Sequence, residues 1–159
     1  MDIQVTPKSI EANKAIVRRY LEDVPAVLDE LADPDLTIIA PGMTTMRGLK
    51  NVKMFSAPYF AALSERRFTA EEMIAEGDKV TVRWTIRLTT KVPVSLPDGT
   101  LMPAGRMVNE TGISICRLRE GKILEELTYM DWLGILKQGR EARRKLWWRR
   151  LFRVEKESE

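Results

Sequence analysis

FTAEEMIAEGDKVTVRWTIRLTT, residues 68–90, reads as two strands joined by a tight turn at Glu76-Gly77-Asp78. In its second half Val80, Val82, Trp84, Ile86 and Leu88 alternate with Thr81, Arg83, Thr85 and Arg87. A period of two suits an extended strand, and its apolar set marks the interior face. A slip of one residue would put that whole set in water, so the register is strongly specified. Further on, TGISICRLREGKILEELTYMDWLGIL (111–136) continues the pattern with strand, turn, strand and helix. The strands are expected over about 106–118 and 122–130, turned at Glu120-Gly121, with a helix from about Trp132 to Gln138.

Before residue 68 the period changes. EANKAIVRRYLEDV (11–24) places Ile16, Val17, Tyr20, Leu21 and Val24 on one side of a helix, with Ser9 as its N-cap. Pro25 interrupts that helix, and PAVLDELA (25–32) reads as a second, short one ending before Asp33-Pro34-Asp35. LTIIA (36–40) is a buried strand closed by Pro41-Gly42, and a third helix follows Gly48 over about 49–63. KVPVSLPDGTLMPAG (91–105) is rich in Pro and Gly and reads as a long connection. Helices first and antiparallel strands after predict an α+β domain, its helices covering one face of a curved sheet.

The 159 residues suffice for one hydrophobic core, with a domain expected over 1–139 and an extension over 140–159. No apolar run reaches the length of a membrane span, and the N-terminus lacks the pattern of a signal peptide. A single cysteine, Cys116, excludes an internal disulfide framework, and a cytoplasmic location is the expectation. The chain has no histidine. Serine–histidine and cysteine–histidine nucleophiles are therefore excluded, and proton transfer falls to Asp, Glu, Tyr, Lys or water. No metal or cofactor motif is present.

The net charge of +3 is uneven, because residues 137–159 hold nine of the 26 Lys/Arg and four of the 23 Asp/Glu. The rest is near neutral, which gives no sign of a nucleic-acid partner. In the tail, Trp147, Leu151 and Val154 fall on one side of a helix, with Lys145, Arg149, Arg153 and Lys156 opposite. Packing on the body or on a dimer mate is the favoured reading, ahead of a membrane surface or an acidic partner.

Asp131 is the leading candidate for chemistry, since it stands where an apolar strand meets an apolar helix. Alternation back along the strand puts Tyr129, Leu127 and Glu125 on its side, unless a bulge intervenes. Such an apolar collar would raise the Asp131 pKa toward a range useful for proton transfer. The competing role is an N-cap for WLGIL. Trp84 is either a flat pocket wall or core; Tyr20 and Tyr59 are candidate hydroxyl donors to a bound molecule. Asn109 and Glu110 are adjacent, so one faces inward: Asn109 to hold an oxygen, or Glu110 as a second acid. Met43 and Met46, after the first strand, and Met102, in the long connection, are candidate rims of a mouth.

These elements resemble the SnoaL-like polyketide cyclases, within the nuclear-transport-factor-2-like superfamily of cone-shaped α+β barrels. The resemblance lies in NKAIVRRYLEDV, MRGLKNVKMF, FTAEEMIAEGDKVTVRWTIR, GISICRLREGKILEE and MDWLGILKQ, over roughly residues 11–139. It implies a curved, mostly antiparallel sheet under three N-terminal helices, and a hydrophobic small molecule held inside the cone. It also implies cyclisation without metal or organic cofactor, with an aspartate at the end of the last strand as acid/base, here Asp131. Family cyclases usually add a pocket histidine, which this chain lacks. That absence favours ring closure by shape and hydrogen bonding over base-driven aldol closure. The expected function is thus a cofactor-free cyclase with Asp131, Tyr129 and Glu110 as its chemical groups. Trp84, Tyr20, Tyr59, Asn109, Met43 and Leu127 would hold the substrate, and an open outer sheet face suggests a homodimer. The alternatives are a binding or assembly module without turnover, and an epoxide hydrolase or isomerase of the same fold. An epoxide hydrolase needs two inward carboxylates around one water.

Overall fold

The computed structural model describes residues 7–96, 98–99 and 101–141. The extension expected over 140–159 lies almost wholly outside these residues. Helix α1, Pro7–Asp23, buries Val17, Tyr20 and Leu21, the face its spacing predicts. Ser9 stands inside the helix rather than capping it, because Pro7, a residue suited to a first turn, already belongs to it. The Asn13 side-chain amide donates to Gly77 O at 3.1 Å, tying α1 to the turn between two strands.

Helix α2 spans only Leu28–Leu31, and strand β1 begins at once, Ala32–Ile39. Two local causes shorten the helix. Pro34 disfavours helical backbone at Asp33, and Asp33 is clamped by Arg119, whose Nη2 and Nε donate to its carboxylate at 2.6 and 3.0 Å. That hydrogen bond, helped by the Asp35 N–H, holds the Asp33 carboxyl below its usual range. Strand β2, Met46–Arg47, pairs antiparallel to β1. Gly48 then turns the chain with φ 81°, a conformation natural to glycine, into helix α3, Leu49–Ala61.

Strand β3 runs Leu63–Glu76, five residues longer at its start than the alternation suggested. It is an edge strand, and Ser64, Glu65 and Arg67 face solvent there, so the usual charged guard of a sheet edge hides its period. Strand β4 is Lys79–Thr90 and shows the expected alternation of buried residues. The connection after it contains a small hairpin, β5 (Val94–Ser95) with β6 (Leu101–Met102), and Met102 is buried in the core rather than set on a rim. Strands β7, Met107–Arg119, and β8, Lys122–Met130, complete the sheet, and residues 132–141 are helical. Among the described residues no helix is long and apolar enough to cross a membrane.

The main sheet has the order β2-β1-β8-β7-β4-β3, antiparallel except where β1 lies parallel to β8. It does not close into a barrel: β2 and β3 are free edges, and the helices cover one face to make the cone. Helix α1 packs on β3 and β4, and α3 on β1 and β2. The core between them includes Val17, Tyr20, Leu28, Leu36, Val52, Val80, Val82, Trp84 and Ile123.

One irregularity decides what faces that core. Arg117 pairs with Glu125 but Leu118 pairs with Ile123, so Leu124 is an extra residue in β8. Ile123 points inward and is fully buried. After the bulge the parity reverses, and Glu126, Thr128 and Met130 turn to the interior. Leu127 and Tyr129 therefore lie on the outer face, and Tyr129 is 57% exposed. The apolar collar expected from unbroken alternation does not form.

Candidate functional site

A cavity of about 160 Å³ opens between the sheet and the helices. Its apolar wall comes from Leu28 of α2, Val52 and Phe60 of α3, and Trp84 and Ile86 of β4. Trp84 lies across the backbone of its cross-strand partner Gly112, where an added Cβ would sit 2.5 Å from the indole ring. Only glycine permits this approach. The indole N–H then reaches Ser114 Oγ at 2.9 Å.

Polar groups gather on two sides of this wall. On one side the Glu126 carboxylate accepts from Tyr20 at 3.0 Å, Thr128 at 2.9 Å and Ser114 at 3.3 Å. Ser114 and Thr128 also lie within hydrogen-bond reach of each other, and with one proton each they make two of the three bonds among themselves and Glu126 at a time. Three hydroxyls and an indole therefore fix one carboxylate in place. Burial, reinforced by Glu126, raises the Tyr20 pKa well above its usual value, so Tyr20 stays a donor. Cys116 is fully buried beside this network, and burial likewise pushes its thiol up, which makes it unreactive.

On the other side stand Glu110 of β7, Tyr59 of α3 and Arg66 of β3. Burial raises the Glu110 pKa to about 7, while Arg66 and a hydrogen bond from Tyr59 pull it down. Tyr59 is 39% exposed as a residue, but burial of its hydroxyl, with Glu110 nearby, raises its pKa. Arg66 donates to Leu21 O at 2.9 Å and Glu22 O at 3.1 Å in the last turn of α1. Burial lowers its pKa, against the influence of Tyr59, Glu110 and Glu126.

Of the residues singled out from the sequence, Glu110, Trp84, Tyr20 and Tyr59 line the cavity. Asn109 is exposed on the opposite face of β7, which decides between it and its neighbour. Met43 is exposed, and neither it nor Leu127 nor Tyr129 lines the cavity. Asp131 also lies outside. It is exposed, and its Oδ1 accepts from the Gly134 N–H at 2.9 Å, the geometry of an N-cap on the helix that follows. Gly134 allows the close fit, since a Cβ there would meet the Asp131 carboxylate at 2.3 Å.

Glu126, Ser114, Thr128 and Arg66 are the cavity residues that sequence reasoning missed. The bulge hid Glu126 and Thr128. Arg66 was hidden in Glu65-Arg66-Arg67, which reads as a solvated charge run. The signal for Arg66 is its place two residues before Phe68, on the inward parity of β3. Among the described residues no group of three or more His, Cys, Asp or Glu is arranged to hold a metal.

The family model for SnoaL-like polyketide cyclases matches residues 11–139. No curated protein sequence matches the chain. Among solved structures, a protein provisionally named a SnoaL-like polyketide cyclase from Jannaschia sp. CCS1 superposes with a TM-score of 0.70 at 21% identity, covering 86% of this chain and 96% of that one. TsrD from Streptomyces laurentii gives 0.66 at 21% identity, covering 86% and 98%. TerC, co-crystallised with polyporic acid, gives 0.60 at 20% identity, covering 81% and 98%. At these identities the likeness is one of fold.

Proposed function

Because the chain belongs to the SnoaL-like polyketide cyclase family, we propose that it closes a ring on an apolar, polyketide-like intermediate, with Glu110 moving the proton. The observation that carries this reading is a carboxyl inside the cavity whose pKa burial brings to about 7. A base works best when its pKa lies near the operating pH. The lack of histidine weighs against base-driven closure in the sequence, and Glu110 restores such a base. As a carboxylate it takes a proton from a carbon between two carbonyls. The electron pair left on that carbon bonds to a second carbonyl carbon of the same molecule. The oxygen of that carbonyl receives the proton back from Glu110, so the step is an isomerisation. Trp84, Ile86 and Val52 hold the chain folded, and much of the acceleration comes from that orientation.

The test is deuterium exchange at the carbon between the carbonyls of aryl β-keto esters, followed by NMR. Exchange is expected to rise with pH through about 7 as Glu110 ionises and to fall by about 10²–10⁴ in Glu110→Gln. Asp131→Asn is expected to match the wild type. Exchange that survives Glu110→Gln would overturn the reading.

A second reading has its own support. Glu110 and Glu126 both face the cavity, and both act on Arg66. Two carboxylates around one water are what epoxide hydrolysis requires, so turnover of an aryl epoxide to a diol, lost in both Glu110→Gln and Glu126→Gln, would favour it.

A further inference from the structure

We propose that Arg66 is the anion anchor of the cavity, selecting molecules that present an acidic enol or enolate oxygen at the end of an apolar ring system. The inference deepens the proton-transfer reading of Glu110 and rests on it for the identity of the reacting group. Its own basis is how the guanidinium is held. Arg66 rises from an edge strand into the cavity between two rings, its central carbon 5.9 Å from the Phe60 centroid and 5.8 Å from that of Phe68. Its two hydrogen bonds go to main-chain carbonyls of α1, Leu21 and Glu22. Among the described residues no carboxylate lies within ion-pair distance of it, although seven other arginines and lysines have such a partner.

Neutral carbonyls orient a cation without cancelling its charge. The C-terminal end of a helix is where such an anchor is favourable. A guanidinium carries five N–H donors, so some remain for a guest. Its planar fork matches two oxygens of a 1,3-dicarbonyl enolate, which an ammonium matches less well. Arg66 shares the cavity with Glu110 and Glu126 but forms an ion pair with neither, so its half-buried charge is left to gain from an anion that the guest itself brings. In ring closure the same group would hold the enolate formed when Glu110 takes the proton.

The arrangement also predicts how binding depends on pH. The charged or titratable groups around the cavity are Tyr20 from α1, Tyr59 from α3, Arg66 from β3, Glu110 from β7 and Glu126 from β8, while β4 contributes Trp84 and Ile86. Glu110 is the group that ionises near neutrality, and a second anion beside its carboxylate is repelled. Bound anion and ionised Glu110 therefore compete.

The probe is 2-hydroxy-1,4-naphthoquinone, whose visible band distinguishes its acid from its anion, with the neutral 2-methoxy ether as control. Both are titrated into the full-length protein from pH 5 to 9. The anion is expected to bind at least about 10-fold more tightly than the ether, as one desolvated charge contact allows. Arg66→Met is expected to lose that preference, and Arg66→Lys to keep part of it. Affinity in the wild type should fall above about pH 7 and stay flat in Glu110→Gln. Equal binding of the ether, no binding of either compound to folded protein, or wild-type affinity in folded Arg66→Met would each overturn the proposal. If Arg66→Met does not fold, the ether comparison and the pH profile decide. Deuterium exchange separates this inference from the reading beneath it. Anion binding through Arg66 together with exchange that survives Glu110→Gln leaves the anchor and removes the base. The opposite pattern leaves the base and removes the anchor.

Discussion

The two faces of β7 and β8 are built to opposite rules. Between buried Val108 and Cys116 on β7 and beyond Ile123 on β8, the inner face carries Glu110, Gly112, Ser114, Glu126 and Thr128, a set that by composition would pass for a solvated surface. The outer face carries Ile113, Ile115, Leu127 and Tyr129, with Ile113 opposite Tyr129 and Ile115 opposite Leu127. On β4 the apolar side chains go inward, as in most sheets. The difference shows where the fold gives up core packing. The polar inner groups survive burial because they satisfy one another: among the described residues every buried side-chain nitrogen or oxygen has a partner. A polar inward face marks the cavity, and an apolar outward face misleads any reading based on hydrophobicity alone.

The sharpest way to break this contrast is to delete Leu124 and Glu125 together. Ile123 and Glu126 then become neighbours, and unbroken alternation from Ile123 would send Leu127 and Tyr129 inward and Glu126 and Thr128 outward. Loss of cooperative thermal unfolding is expected, and a variant that melts like the wild type would mean that the parity of β8 does not decide the core. Next in size is Glu126→Leu, which removes the common acceptor of Tyr20, Ser114 and Thr128. Leaving buried hydroxyls short of a partner should cost about 1–3 kcal/mol in urea unfolding. A cost near zero would show that the hydroxyls satisfy one another without the carboxylate. The smallest effect belongs to the outside. Asp131→Ala should lose about 1 kcal/mol through the missing cap, and Asp131→Asn only a few tenths. Any larger loss of exchange activity than of stability at Asp131 would return it to the chemistry.

Much of the scaffold was open to reading. Val80 to Leu88 set one interior face, and Ile16 to Leu21 set the docking side of α1, because in both the period of the apolar residues matches the period of the backbone. The family could be recognised for the same reason, since order and spacing of elements are what the fold repeats. Glu110 was legible only as one of a pair with Asn109, and the pairing of β7 with β4 resolved it: Glu110 stands opposite Ile86, and Asn109 opposite Arg87. The two roles of Asp131 could not be separated in the sequence because β8 ends at Met130, so its parity belongs to no strand, and the structure shows the cap.

Residue types, their periods and the missing histidine were thus sufficient to determine an α+β cone, its buried strand face and the restriction of any proton transfer to Asp, Glu, Tyr, Lys or water. Which carboxyls face the cavity was decided only in three dimensions. One extra residue at Leu124 shifts the parity of a strand, and the burial that raises Glu110 to about 7, against the pull of Arg66 and Tyr59, exists only once segments more than forty residues away in the chain have packed beside it. Side-chain parity and local dielectric depend on neighbours brought together by folding, and neither is written in the adjacent sequence.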